Sequence, residues 1–314
     1  MRGRGALLLG MVCSSLLLGG DVRSASPAPT AATTACEGLR PPLAQSLLYE
    51  LRSGAFPGSG RPDVAVHVPP GFDATRRPGV VVYFRGWNGC VQAAVGDDDV
   101  PCSEDGETRV ASHLAAQLDE AEVNAVLVAV ELRADMPTGE PGQLATLGGL
   151  RALLHELFAE HLGPALGDGC GLEVDGLDRV VVVAHSGGYQ AAAAVLAMGD
   201  VPSITEVVLL DALYGADEVF ARWLGEAGFD ASRRRSVDLY TCCGGTLEHS
   251  RTLAALAHDA GRPILDDDSA TMEPTAATLE RPLVFARVPI AHGELPGAYF
   301  RPVVEAAGFA PRVR

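Results

Sequence analysis

The apolar residues of the chain gather into short runs bounded by turn residues, with stretches of helical spacing between them. Val64 to Val68 alternates and stops at Pro69-Pro70-Gly71, whereas Val80 to Phe84, Ala125 to Val130, Val180 to Ala184 and Val207 to Leu210 are continuous. Val237 to Tyr240 and Leu283 to Val288 are weaker runs of the same kind. Continuous valine-rich runs of this length predict strands buried on both faces, as in a parallel sheet covered by helices. Between them, Leu147, Leu150, Leu153, Leu154, Leu157, Phe158 and Leu162 recur at helical spacing. Gln190 to Met198 is nearly all apolar and predicts a buried helix, and Thr246 to Ala260 and Tyr299 to Ala307 complete the set. A further short helix is expected after Pro41-Pro42, where Leu43, Leu47, Leu48 and Leu51 share one helical face. The fold class expected from this alternation is α/β, a mainly parallel, doubly wound sheet.

The first residues follow a different rule. Arg2 and Arg4 precede an apolar stretch from Ala6 to Leu18, and small residues follow at Ser24, Ala25 and Ser26. That order is the signature of a cleaved export signal, and the stretch is shorter than the roughly 20 apolar residues of a membrane span. Residues 1–26 are therefore read as a signal peptide, 27–60 as a tether with the short helix, and 61–314 as one large α/β domain. The expected location is secreted or periplasmic, with no membrane span after cleavage.

Charge narrows the partners. The 24 basic residues, all arginine, face 40 acidic ones, a formal charge of −16. Such a surface repels phosphate backbones, so no nucleic-acid partner is expected. Beyond the signal the cysteines are Cys36, Cys90, Cys102, Cys170, Cys242 and Cys243, an even set that in an exported chain reads as disulfides. Cys90 with Cys102 is the expected local pair, and the adjacent Cys242 and Cys243 are expected to bridge to different partners. No spacing suits zinc or an EF-hand, so neither metal nor organic cofactor is expected; Asp97 to Asp99 and Asp266 to Asp268 read as solvated acidic runs.

The chemistry concentrates at Val180-Val-Val-Val-Ala184-His185-Ser186-Gly187-Gly188. A buried strand runs into a serine and a buried helix leaves at once. A serine on so sharp a turn needs small neighbours two positions away on each side, and Ala184 and Gly188 meet that need. The bland alternative is a serine capping an ordinary helix.

This turn, together with Val80-Val-Val-Tyr-Phe-Arg85-Gly86-Trp87-Asn88-Gly89 and the late Ala291-His292-Gly293, resembles the α/β-hydrolase family of esterases and lipases over roughly residues 62–310. The resemblance implies Ser186 as nucleophile, His292 as general base, and the Trp87 and Gly187 amides as the oxyanion hole. Two positions depart from the family pattern: Ala184 stands where the first glycine of the turn is usual, and Arg85 where histidine often precedes the oxyanion glycine. The triad acid is expected at Asp211, directly after the strand ending Val207-Val-Leu-Leu, with Glu248 the alternative. His249 is the rival base. The short stretch after Asp211 leaves no room for a large lid domain, and the insert Cys90 to Glu107 is expected to wall the pocket. The function implied is cleavage of a small-molecule acyl ester through an acyl-enzyme on Ser186. An acyltransferase or peptidase using the same triad, and a non-catalytic binding scaffold, stay open.

Overall fold

The computed structural model describes residues 46–312, apart from 103–105, 134–138, 167–170, 226–233, 243, 263 and 268–272. The strands are β1 (Ser46–Tyr49), β2 (Val64–His67), β3 (Gly79–Arg85), β4 (Val100–Pro101), β5 (Thr108–Arg109) and β6 (Ala125–Val130). They continue as β7 (Arg179–His185), β8 (Ile204–Leu210), β9 (Arg235–Tyr240), β10 (Ile264–Asp267) and β11 (Leu283–Arg287). The helices are α1 (Val91–Val95), α2 (Leu114–Glu120), α3 (Gly149–Glu156), α4 (Gly163–Leu166) and α5 (Tyr189–Met198). After them come α6 (Asp217–Gly225), α7 (Thr246–Asp259), α8 (Ala276–Leu279) and α9 (Leu295–Ala306).

Among the described residues the central sheet has nine strands in the order β1-β2-β6-β3-β7-β8-β9-β11-β10. β1 and β2 run antiparallel to their neighbours, and every pairing from β6 to β10 is parallel. The valine runs explain why. Val180 to Ala184 of β7 is wholly buried, and side chains alternate between the two faces of a strand. Val80, Val82 and Phe84 pack with Leu150, Leu153, Ala191, Val195 and Leu253 from α3, α5 and α7. Val81 and Tyr83 point the other way, to Val91, Leu114, Leu118, Phe300 and Val303 from α1, α2 and α9. Each buried valine or leucine contributes about 1.5–3 kcal/mol, so the helices hold to the sheet without a polar ladder.

The short helix expected over Leu43 to Leu51 is not formed by its described part, which is strand β1. Leu47 pairs with Val66 and Leu48 with Ala65. A helix of so few residues is unstable alone, whereas the free edge of β2 offers a row of backbone partners. The sheet therefore begins before residue 61. β10 was also missed: Asp266 and Asp267, read as part of a solvated run, pair with Phe285 and Ala286 on an outermost strand, where exposed charge such as Asp266 discourages further pairing. Asp268 lies outside the described residues.

The insert after β3 holds α1 and the β4–β5 pair, and Cys90 and Cys102 are joined by a disulfide across Cα atoms 5.3 Å apart. Cys242 is also disulfide-bonded. Cys36, Cys170 and Cys243 lie outside the described residues, as does the proposed signal. No described helix is long and apolar enough to cross a membrane. Between β8 and β9 the described chain carries only α6.

Candidate active site

The parallel strands present their carboxyl ends along one edge, and the candidate residues arrive there from three of them. β7 ends at His185, Ser186 follows with a left-handed φ of 55°, and one tight turn, Ser186–Gly188, passes into α5. A non-glycine residue in that conformation is uncommon and costs on the order of 1 kcal/mol. Close packing holds it there. A Cβ on Gly188 would lie 2.4 Å from the Phe84 carbonyl oxygen, which accounts for the small residue required two positions past the serine. A Cβ on Gly86 would lie 2.1 Å from the Gly187 nitrogen, and one on Gly139 would lie 2.2 Å from the Gly187 oxygen. The loop after β3 thus presses on the nitrogen of Gly187 and the loop after β6 on its oxygen, so the residue is clamped at both of its peptides. Gly86 sets the backbone next to Trp87 against the serine turn. The Trp87 side chain itself is 60% exposed.

β8 delivers Asp211, also with left-handed backbone, φ 47°. Its carboxylate is fully buried and fully engaged. Oδ1 accepts from the Thr241 amide at 3.0 Å and from the Thr246 hydroxyl; Oδ2 accepts from the Thr241 hydroxyl at 2.8 Å and from His292 Nδ1 at 2.7 Å. Burial opposes ionisation, but the hydrogen bonds from His292, Thr246 and Thr241 outweigh it and hold the carboxyl down at about 2. Asp211 is therefore a carboxylate at any ordinary pH. With Nδ1–H donating to it, a neutral His292 ring keeps its lone pair on Nε2.

His292 reaches the edge from the loop after β11, its side chain 40% exposed. Its main-chain oxygen accepts from His185 Nε2 at 3.0 Å, and the two rings lie 4.7 Å apart. The residue before Ser186 and the candidate base are therefore direct neighbours. His185 is buried beside the turn. Burial first, then the neighbouring His292, pushes its imidazole down to about 3, so it stays neutral. Tyr214 stands edge-on to the His292 ring at 6.3 Å, and Tyr189 lies 6.2 Å from Tyr214. Burial and the Asp211 charge push the Tyr214 phenol up to about 12.

The alternatives lie elsewhere. Glu248 is exposed in the first turn of α7, and it is Thr246 of that turn that meets Asp211. His249 Nδ1 pairs with Asp217 Oδ2 at 2.7 Å, joining α7 to α6. Arg85 lays its side chain along Gly89, and its buried Nη1 makes no hydrogen bond. Among the described residues no group of three or more His, Cys, Asp and Glu side chains could hold a metal ion.

No family model matches the chain, and no curated protein does. Solved structures do. A feruloyl esterase module from Clostridium thermocellum, solved with sinapinate, superposes with a TM-score of 0.51 at 11% identity over 92% of this chain and 95% of that one. The fold is that of an α/β-hydrolase. The enterobactin and salmochelin hydrolase IroE gives a TM-score of 0.43 at 17% identity, covering 78% of this chain and 88% of that one. In such open α/β sheets the carboxyl edge is where loops converge, and β7, β8 and β11 lead into Ser186, Asp211 and the loop of His292 at that edge, where His292 bonds Asp211.

Gly139, Thr241, Thr246, Tyr189, Tyr214 and His185 were not found by sequence reasoning. Only His185 carried a local signal, its place beside the serine. The others act through contacts between loops distant along the chain.

Proposed function

We propose that the chain is a serine hydrolase that cleaves carboxylic esters through an acyl-enzyme on Ser186. The observation that carries this reading is the Asp211–His292 pair, built on a buried carboxylate, beside the strained turn that presents Ser186. His292 Nε2 takes the Ser186 hydroxyl proton as oxygen attacks the acyl carbon, and returns it to the leaving alcohol. Asp211 holds the ring in the required tautomer and stabilises the imidazolium. The Trp87 and Gly187 amides receive the oxyanion, an assignment supported by the clamp of Gly86 on Gly187. Water then attacks the acyl-enzyme by the same route in reverse. No step calls for a metal or an organic cofactor.

The Cys90–Cys102 and Cys242 disulfides support an oxidising compartment, and with the N-terminal signal pattern we place the protein outside the cytosol. An ester is the substrate class we favour because the matching fold is that of esterases and the site is built for acyl transfer.

The test is labelling with a fluorophosphonate. Wild-type protein should be modified on Ser186 and hydrolyse p-nitrophenyl esters, and Ser186→Ala should do neither. Absence of labelling in folded wild-type protein would leave a non-catalytic binding scaffold as the better description.

A further inference from the structure

The serine turn and the loop carrying the base belong to different strands, β7 and β11, with β8 and β9 between them in the sheet. The bond from His292 to Asp211 is made by the side chain and does not involve the main chain of the loop. His185 supplies a main-chain tether: it ends β7, directly precedes Ser186, is 7% exposed, and its Nε2 lies 3.0 Å from the His292 carbonyl oxygen. We propose that His185 is a positioning residue that locks the main chain of His292 to the serine turn, fixing the Ser186–His292 distance through an Nε2–H···O=C bond. The inference rests on the catalytic reading of Ser186 and His292 and deepens it.

The chemistry selects histidine for this place. The bond needs a proton on Nε2, so the ring must be the neutral Nε2–H tautomer with its lone pair on Nδ1. A cation 4.7 Å from the His292 ring would oppose the imidazolium that forms there during turnover. Burial prevents that charge, since the His185 ring is held neutral down to about pH 3. A planar ring also fills the space against His292, while its far edge makes the bond. Glutamine can place an amide N–H near the same point without a charge, whereas phenylalanine keeps the ring and loses the donor.

The experiment compares His185→Phe and His185→Gln with wild type in ester hydrolysis. His185→Phe should lower kcat about 30-fold or more with KM changed less than 3-fold and slow fluorophosphonate labelling in proportion; His185→Gln should recover most of that loss. A His185→Phe enzyme with wild-type kcat, or a His185→Gln enzyme as slow as a folded His185→Phe, overturns the proposal. A measurement independent of the phenylalanine variant's folding is 15N NMR of histidine-labelled wild type, with the His185 signals assigned by their absence in His185→Gln. A neutral Nε2–H ring that does not titrate between pH 5 and 8 (~, the range where free histidine changes charge) is the expected result; an Nδ1–H tautomer or a charge change in that range overturns it. Failure here leaves Ser186→Ala inactive and wild type active, whereas failure of the catalytic reading itself shows as a Ser186→Ala protein that still turns over ester.

Discussion

His292 and Asp211 stand 81 positions apart in the chain, yet His292 Nδ1 and Asp211 Oδ2 lie 2.7 Å apart. The carboxylate is buried, and the imidazole is partly open to solvent. One end of the pair is thus rigid and the other reachable by substrate. The two threonines join the histidine in holding Asp211 charged against the opposing effect of burial.

Asp211→Asn preserves shape but removes the acceptor that selects the tautomer of His292. Ester hydrolysis should fall in kcat by about 10²–10⁴, with a smaller change in KM. Glu248→Gln should leave both constants within about 2-fold, as an exposed residue in α7 does not touch the pair. Steady-state kinetics on the two purified variants checks both outcomes.

The same carboxylate makes a prediction for acid stability. Its folded value, about 2, lies below its ordinary 3.8, so ionised Asp211 stabilises the fold above the ordinary value. That contribution, roughly 2 kcal/mol, should disappear as pH falls from about 4 through about 2. Urea unfolding of wild type and Asp211→Asn at pH 7 and near pH 2 should show the difference between them shrinking in acid.

Asp238 has the opposite sign. It is fully buried in β9, and neither carboxyl oxygen makes a well-formed hydrogen bond. Burial chiefly, with a small contribution from Asp211 and against the pull of Ser250, pushes it up to about 7. A raised carboxyl favours the folded state while protonated, so its penalty grows as pH climbs from about 4 to about 7 and is complete above that. Asp238→Asn should therefore raise Tm at pH 8 and change it little at pH 4, measured by thermal unfolding in matched buffers.

The clamp on Gly187 can be tested from the loop that sequence reading passed over. Gly139→Ala places a methyl where the Gly187 carbonyl stands, so the Gly187–Gly188 peptide must shift and carry with it the neighbouring Gly187 amide, the proposed oxyanion donor. We expect kcat to fall by about 10²–10³, the loss typical of one misplaced oxyanion donor, with the fold retained by circular dichroism.

The Cys90–Cys102 bridge closes a short loop with a sequence separation of 12. In the chain-entropy account such a loop contributes about 3 kcal/mol by restricting the unfolded chain. The double variant Cys90→Ser, Cys102→Ser should lose about that much in urea unfolding.

Much of this was legible beforehand. The strands β3, β6, β7 and β8 announce themselves because each is a continuous apolar run, and only a sheet covered on both sides can hide one. The serine turn is readable because its steric demand falls on near neighbours, and Gly188 shows that demand directly in its approach to Phe84. β1 was read as a helix because Leu47 and Leu48 suit either period, and only the edge of β2 decides between them. Gly139 and Thr241 were silent for a similar reason: each matters through a partner dozens of residues away, and no local pattern records such a partner.

Ser186 and Asp211 share one property, a left-handed backbone in a residue that carries a side chain. Glycine in place of Ser186 would relax the main chain and lose only a hydroxyl from the fold, whereas Asp211 also anchors Thr241, Thr246 and His292. Replacement of Ser186 by glycine should then yield a protein slightly harder to unfold than the natural one, and inert. Robustness and chemistry pull against each other at the Ser186 corner, and the residue found there marks which of them the chain has favoured.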